Sequence, residues 1–583
     1  MSAVESPPTP AAVDRPGPAP SGWAAAALER APHRRSDRRW AAALGVLLVG
    51  AFILRVWGAS HGLPYAYNAD ENAHFVPKAI GLFGHGWNPD YFVNPPAFTY
   101  VLHLVFAVWY GGREGVSRTF ATDPTSVFLL ARVIAALLGT LGVGLLYAAG
   151  ARLFDRRVGL LAAGLLAVAF LPVFYSHLAL NDVPTLVGVC LALMGIGGIV
   201  RRGASADYVL AGVGLGLGCA TKYTAGIMLL PLVAAAFARG RPPLGRLALG
   251  GAVALGAFIV ANPYALLDFS GFVDGLNHQS TAADEVGGKL GLTQRSGVWY
   301  YLWTLTWGLG WVPALAAAGG AVMLAWQRPR LFWVLVPAPV LFLLFMGTQG
   351  RYFGRWLLPV FPIVCLVAAY AAIRAVDEIA ARRSVLRPTL TALAVAALCV
   401  QGLLYSVHGD LVLSRDDTRN VARAWLIDHA PAGSKIVVEP GVVPDGWAQD
   451  VGAPSPLTSN GNRWIKYPTS RGPDGVVNIE DYERTLRSDL IDEFEKGGYC
   501  WIVSGSTQSG RAFAQPDDVP DAITYYRRLR ARGAIAFRAS PYRHGAGPVP
   551  FNFDWSFDYY PLAYERPGPV VTIYRLDRKV CAR

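Results

Sequence analysis

The sequence predicts a polytopic α-helical membrane protein with about eleven transmembrane helices, an outer-face juxtamembrane helix and a C-terminal α/β domain. Three observations carry this. Of the 583 residues only 16% are charged and 53% are hydrophobic, whereas a soluble chain has about a quarter charged. Apolar runs of bilayer-crossing length recur from residue 40 to residue 407, and the mean hydropathy is +0.33. Beyond residue 408 the composition turns polar and alternates helix with strand signals.

Residues 1–39 are rich in proline and alanine and end in the basic cluster "RAPHRRSDRR"; they predict a disordered cytoplasmic tail. The first apolar run, 40–57, has no A-x-A cleavage site after it and is an uncleaved helix. Further spans are expected at 128–150, 157–175, 183–200, 207–220, 224–238, 246–262, 299–324, 331–347, 356–374 and 388–407. The run 95–112 is the ambiguous one. If it does not span, Arg152/Arg156/Arg157, Arg201/Arg202, Arg239/Arg241/Arg246, Arg328/Arg330 and Arg374/Arg382/Arg383/Arg387 all fall on the side of the basic N-terminus. If it spans, several of these clusters face outward, against the positive-inside rule. Residues 95–112 are therefore expected as a juxtamembrane helix on the outer face, anchored by Tyr100, Trp109 and Tyr110. The same distribution of arginine assigns the net charge of +12 to membrane topology, so nucleic acid is not an expected partner.

With residues 40–407 as the membrane domain, 408–583 becomes an extracytoplasmic α/β domain. "DTRNVARAWLIDHAPAGSKIVVEPG" predicts a capped helix, a Pro-Gly stop and a short strand. "NIEDYERTLRSDLIDEFEKGG" predicts a second helix with Tyr482, Leu486, Leu490 and Phe494 on one stripe and Gly497 as its stop. "YCWIVSG" and "VVTIYRL" predict buried strands. "FNFDWSFDYY" at 551–560 alternates aromatic with polar residues, as a half-buried strand or a sugar-stacking platform would. Of six cysteines, Cys190, Cys219, Cys365 and Cys399 lie in apolar runs, and Cys500 and Cys581 would pair in an oxidising compartment.

This topology gathers charge on one side. Asp70 and Glu71 of "NADENAHF" fall in the first outer loop, Asp182 of "LALNDVP" in the second, and Lys222 of "ATKYTAG" and Arg351 and Arg355 of "GRYFGRW" in later ones. Charge at membrane depth costs about 2.5–3.5 kcal/mol per group by insertion scales, so such groups usually line a functional cavity. Asp70 suits a general base and Glu71 a supporting carboxylate. Asp182 either simply caps the helix beginning at Val183-Pro184 or joins Asp70 and Glu71 as a catalytic carboxylate. The two readings are compatible because a capping Asp can still point its free oxygen into the cavity. Lys222 either snorkels or contacts a phosphate. Arg351 and Arg355, four apart, would share a helical face suited to phosphate. His74, Asn94 and His278 are supporting candidates, His278 in a long outer loop at 263–297.

"ADENAHF", "NPPAFTYVL", "LALNDVP", "ATKYTAG" and "GRYFGRW", in this order over about 60–375, resemble the dolichyl-phosphate-mannose–protein mannosyltransferase and aminoarabinose transferase families (glycosyltransferase families 39 and 83). The resemblance implies a GT-C fold and transfer of a sugar from a polyprenyl-phosphate donor to a protein, lipid or glycan acceptor at the outer face of the membrane, and the Ala-, Arg- and Gly-rich usage points to a bacterial plasma membrane. It implies Asp70 as the catalytic carboxylate, Asp182 as a second acidic position, and Lys222, Arg351 and Arg355 on the lipid phosphate. A divalent metal ion on Asp70, Glu71 and Asp182 is left open. The competing class is a transporter or flippase of lipid-linked sugars, although no inverted repeat or pair of broken helices supports it.

Overall fold

A computed structural model describes residues 34–240, 243–284, 290–291, 296–350, 352–440, 442–449, 461–468, 482–551 and 560–576. By its contacts the described chain divides into two units between Val46 and Leu47. All eleven apolar runs are helical. Among the described residues seven helices are long and apolar enough to cross a membrane: Asp37–Val56, Pro124–Leu153, Leu244–Ala261, Gly297–Gln327, Pro329–Gly347, Gly354–Arg382 and Ser384–His429. The chain is a multi-pass membrane protein.

The remaining four runs are shorter, and much of their surface is buried. Arg156–Val168 breaks at Ala169 before Phe170–Tyr175. Thr185–Arg201, Ser205–Thr221 and Tyr223–Phe237 follow. Seventeen residues rise only about 26 Å, less than the roughly 30 Å of a hydrocarbon core. Helices Thr185–Arg201 and Ser205–Thr221 lie back to back along a stripe of small residues. A Cβ on Gly188 would collide with Gly218, on Gly195 with Ala211, and on Gly214 with Ala192. In lipid, where apolar burial gives no driving force, such close backbone approach is what holds two helices together.

Ala97–Trp109, only 13 residues long, cannot cross a bilayer, in keeping with a juxtamembrane helix. Its neighbours Val76–His85 and Arg113–Thr122 are further short helices that the hydropathy pattern did not suggest. The stretch 263–297, expected as a loop, is largely helical, as Tyr264–Leu267 and Phe269–Asp284. The basic connections meet one another: Arg157 forms a bidentate pair with Asp377 at 2.9 Å, and Arg387 joins it at 3.1 Å.

Among the described residues the C-terminal part holds a mixed five-stranded sheet. Its strands are β1 (Lys435–Val438), β2 (Ile465–Lys466), β3 (Trp501–Gly505), β4 (Ala534–Ala539) and β5 (Val571–Arg575), in the order β2-β1-β3-β5-β4. β1 is parallel to β2 and β3, and β5 is antiparallel to β3 and β4. Alternate residues feed two cores, as strand geometry requires. Ile436, Val503 and Ile573 pack with Ala422 and Leu426 of helix Thr418–His429. Val437, Ile502 and Tyr574 pack with Leu490, Phe494 and Tyr525. Asp417 caps Thr418–His429 by accepting from the Arg419 N–H, as its sequence predicts.

The second predicted helix is interrupted. Tyr482–Thr485 and Leu490–Gly497 are separate, and the left-handed residue after the stop is Gly498 rather than Gly497. Tyr482, Leu486, Leu490 and Phe494 nevertheless share one core. Cys500 is disulfide-bonded and the four membrane-region cysteines are free. Cys581 and residues 552–559 of the aromatic segment lie outside the described residues.

Candidate functional site

Asp70 ends the loop after the first helix. It precedes a single π-helical turn, Glu71–Phe75, which then continues as Val76–His85. The wide turn is set up by Asn68, whose side-chain oxygen accepts from the N–H groups of both Asp70 and Glu71 at 3.1 Å. The two neighbouring carboxylates consequently point to different surroundings.

Glu71 is fully buried and accepts from Arg132 Nε and Nη2 at 2.7 Å and from the Ala179 N–H at 2.9 Å. Arg132 Nη1 donates to the carbonyls of Ala59 and His61. This pair fastens the first loop to helix Pro124–Leu153 and to the segment before Asp182. Glu71 is thus enclosed by Arg132 and the Ala179 N–H.

Asp70 is 36% exposed at its side chain and bonds Arg355 Nη2 at 2.7 Å. Burial pushes its carboxyl up, but Arg355, His74 and Lys222 together outweigh that and hold it below the ordinary carboxylate value. Asp182 pairs with the Lys222 ammonium, both largely buried. Burial lowers the Lys222 amine; Asp182 offsets this in part, and Arg355 lowers it again. Asp70, Asp182, Lys222 and Arg355, drawn from four distant stretches of sequence, therefore occupy one centre.

The surroundings of Asp182, Arg355 and His278 differ from one another. Asp182 does not cap the next helix, which begins at Thr185 after Pro184 without a side-chain cap; its carboxylate is committed to Lys222. The segment before Arg355 is extended at Phe353 and turns into a 3-10 helix at Gly354. Arg351, expected to share a helical face with Arg355, lies outside the described residues. His278 is exposed on Phe269–Asp284, and no contact among the described residues ties it to Asp70 or Asp182.

His74 stacks on Tyr91 with ring centroids 4.6 Å apart. Asn94 donates to the Tyr91 hydroxyl at 3.0 Å, and Asn181 donates to Asn94 at 3.5 Å. These contacts join the loop before the Pro-Pro pair to the residue beside Asp182.

Residues 125–266 match the family described as dolichyl-phosphate-mannose-protein mannosyltransferase. The archaeal oligosaccharyltransferase AglB from Archaeoglobus fulgidus, solved with an inhibitory peptide and a dolichol-phosphate, superposes with a TM-score of 0.53. Identity is 12%, over 94% of this chain and 77% of that one. ArnT from Cupriavidus metallidurans bound to undecaprenyl phosphate superposes with a TM-score of 0.50 at 15% identity, over 92% of this chain and 98% of that one. No curated protein matches by sequence. The chain has the GT-C fold.

Within this GT-C chain three site residues escaped the sequence reading. Arg132 stands inside the apolar run "FLLARVIAALL", and a buried charge in a span is a signal in itself. Asn181 adjoins Asp182, and Tyr91 carries no signal that spacing would reveal. The acidic residues do not fit a divalent ion. Among the described residues no three His, Cys, Asp or Glu side chains gather as ligands, and Asp70, Glu71 and Asp182 each already face a cation.

Proposed function

We propose that the protein is a membrane glycosyltransferase that moves a sugar from a polyprenyl-phosphate donor to an acceptor hydroxyl at the outer face of a bacterial plasma membrane. The observation that carries this reading is the pairing of Asp70 with Arg355 beside Asp182–Lys222 in a GT-C fold. It is supported by the relatives, whose solved forms carry a dolichol-phosphate or undecaprenyl phosphate. The N-terminal tail is cytoplasmic, and residues 408–583 form an extracytoplasmic domain.

In this mechanism Asp70 takes the acceptor proton as the acceptor oxygen attacks the anomeric carbon. The anomeric C–O bond breaks, and the polyprenyl phosphate leaves with the electron pair and gains negative charge. Arg355 and Lys222 stabilise that charge, with Arg351 as a further candidate. A single displacement inverts the anomeric centre. Asp182 holds Lys222 in place, and Glu71, through Arg132, fixes the backbone that presents Asp70.

The resting pair makes Asp70 a weak base, because Arg355 favours its ionised form. A donor phosphate competes for Arg355, and withdrawal of the guanidinium makes Asp70 more basic when the acceptor arrives. The test is single-sided turnover of a labelled polyprenyl-phosphate sugar in proteoliposomes. Asp70→Asn should abolish release of lipid phosphate while donor binding persists. Donor crossing the bilayer without cleavage would instead identify a flippase.

A further inference from the structure

A cavity of about 540 Å³, within the range of ligand sites, lies between the first loop of the membrane part and the C-terminal sheet. Tyr67, Asn68 and Phe174 form one wall. The other is formed by the start of helix Ser506–Ala514, by β5 and by Tyr542, Tyr560 and Tyr564. The two parts are tied together at its edge. Tyr67 donates to Asn420 at 2.5 Å, and the Arg419 guanidinium lies 3.6 Å from the Tyr67 ring centroid.

Two properties of the lining define what fits. Among the described lining residues there is no Asp or Glu, while Arg419, Arg530 and Arg538 are all present. Arg419 is neutralised by Asp417 at 2.7 Å. Arg530 and Arg538 make no ion pair among the described residues, and the Arg530 guanidinium carbon lies 4.9 Å from the Phe513 ring centroid. Six tyrosines line the cavity together with Ser506, Thr507, Ser509 and Thr572. Ring faces suit the C–H faces of sugars, and hydroxyls suit sugar hydroxyls, while guanidinium forks select carboxylate or phosphate. Phe551 and Tyr560, the ends of the alternating aromatic segment, both line this cavity.

The cavity also abuts the reaction centre. Asn68, in its wall, is the residue whose side chain accepts from the Asp70 and Glu71 N–H groups. We propose that this cavity receives the acceptor as an anionic saccharide, its acidic substituents on Arg530 and Arg538 and its rings against the tyrosines. The inference rests on the glycosyltransferase reading and adds the acceptor's chemical class.

The experiment uses the full chain in nanodiscs and three probes of matched length: oligogalacturonate, a neutral malto-oligosaccharide and oligo-glutamate. Oligogalacturonate should bind at least about tenfold more tightly than the neutral sugar, and the preference should shrink as salt rises. Arg530→Gln/Arg538→Gln should remove the preference and leave neutral binding unchanged. Tyr542→Ala should weaken both saccharides. Equal binding of neutral and acidic sugars, tighter binding of oligo-glutamate, or an unaffected arginine double variant would each overturn the proposal. Turnover of the lipid donor to water is followed in parallel. Donor cleavage without anionic-saccharide selectivity sinks this inference alone, and selectivity without any donor cleavage sinks the glycosyltransferase reading instead.

Discussion

The Glu71–Arg132 pair offers the sharpest test of how the site is held. Both side chains are at most 1% exposed, and the guanidinium meets both carboxylate oxygens. Removing one partner from a buried pair costs about 3–5 kcal/mol, because the other charge is left without an answer. Glu71→Leu strands the Arg132 charge and the Ala179 N–H. Arg132→Met strands the Glu71 carboxylate and two carbonyls, at Ala59 and His61. Each variant should therefore lose about 3–5 kcal/mol, a large share of a total stability of about 5–15 kcal/mol. The double variant has no buried charge left and should recover at least about 2 kcal/mol relative to the sum of the singles. Reversible unfolding in mixed micelles, followed by tryptophan fluorescence, measures all four corners of the cycle. Additivity of the two losses within about 0.5 kcal/mol would refute the claim that this pair fastens the Asp70 loop.

Other outcomes follow from the same geometry. Arg355→Gln removes the main cation that depresses Asp70 and leaves burial to raise it, so the acidic limb of the kcat/KM profile should move to higher pH; an unmoved limb would separate Asp70 from catalysis. Glu439 is fully buried at the end of β1, where burial pushes its carboxyl from 4.5 up to about 7 despite the bond from the Gly505 N–H. The folded state then holds a proton that the unfolded chain has released between these values, so stability falls as pH rises from 4.5 to 7, by about 3 kcal/mol. Glu439→Gln should flatten that slope in a denaturation series, and a slope that persists would assign it to another group. Gly188→Leu drives a side chain into the Gly218 backbone and should cost about 1–3 kcal/mol, read as a lower thermal midpoint in detergent.

How much was legible in the sequence depends on the range of the interaction. The eleven helices follow from local hydropathy, and the short length of 97–109 follows from the placement of arginine in the connections. Strands β3 and β5 and the Asp417 cap are equally local. The helix expected over residues 478–498 failed because core packing tolerates a break at 486–489 while keeping the same four side chains inward. Arg355 follows an extended Phe353 and opens on a 3-10 turn, a local backbone change that residue spacing does not reveal.

The sequence by itself determined a membrane-embedded helical protein with a polar C-terminal domain and nominated Asp70, Asp182, Lys222 and Arg355, because charge in an apolar chain is costly wherever it stands. Tertiary structure alone decided the partners: Asp70 with Arg355, Asp182 with Lys222, and Glu71 enclosed by Arg132. Adjacent carboxylates such as Asp70 and Glu71 look alike in sequence. They acquire different roles because one π-helical turn directs them into different surroundings, and which cation waits in each is set by helices more than 60 residues away.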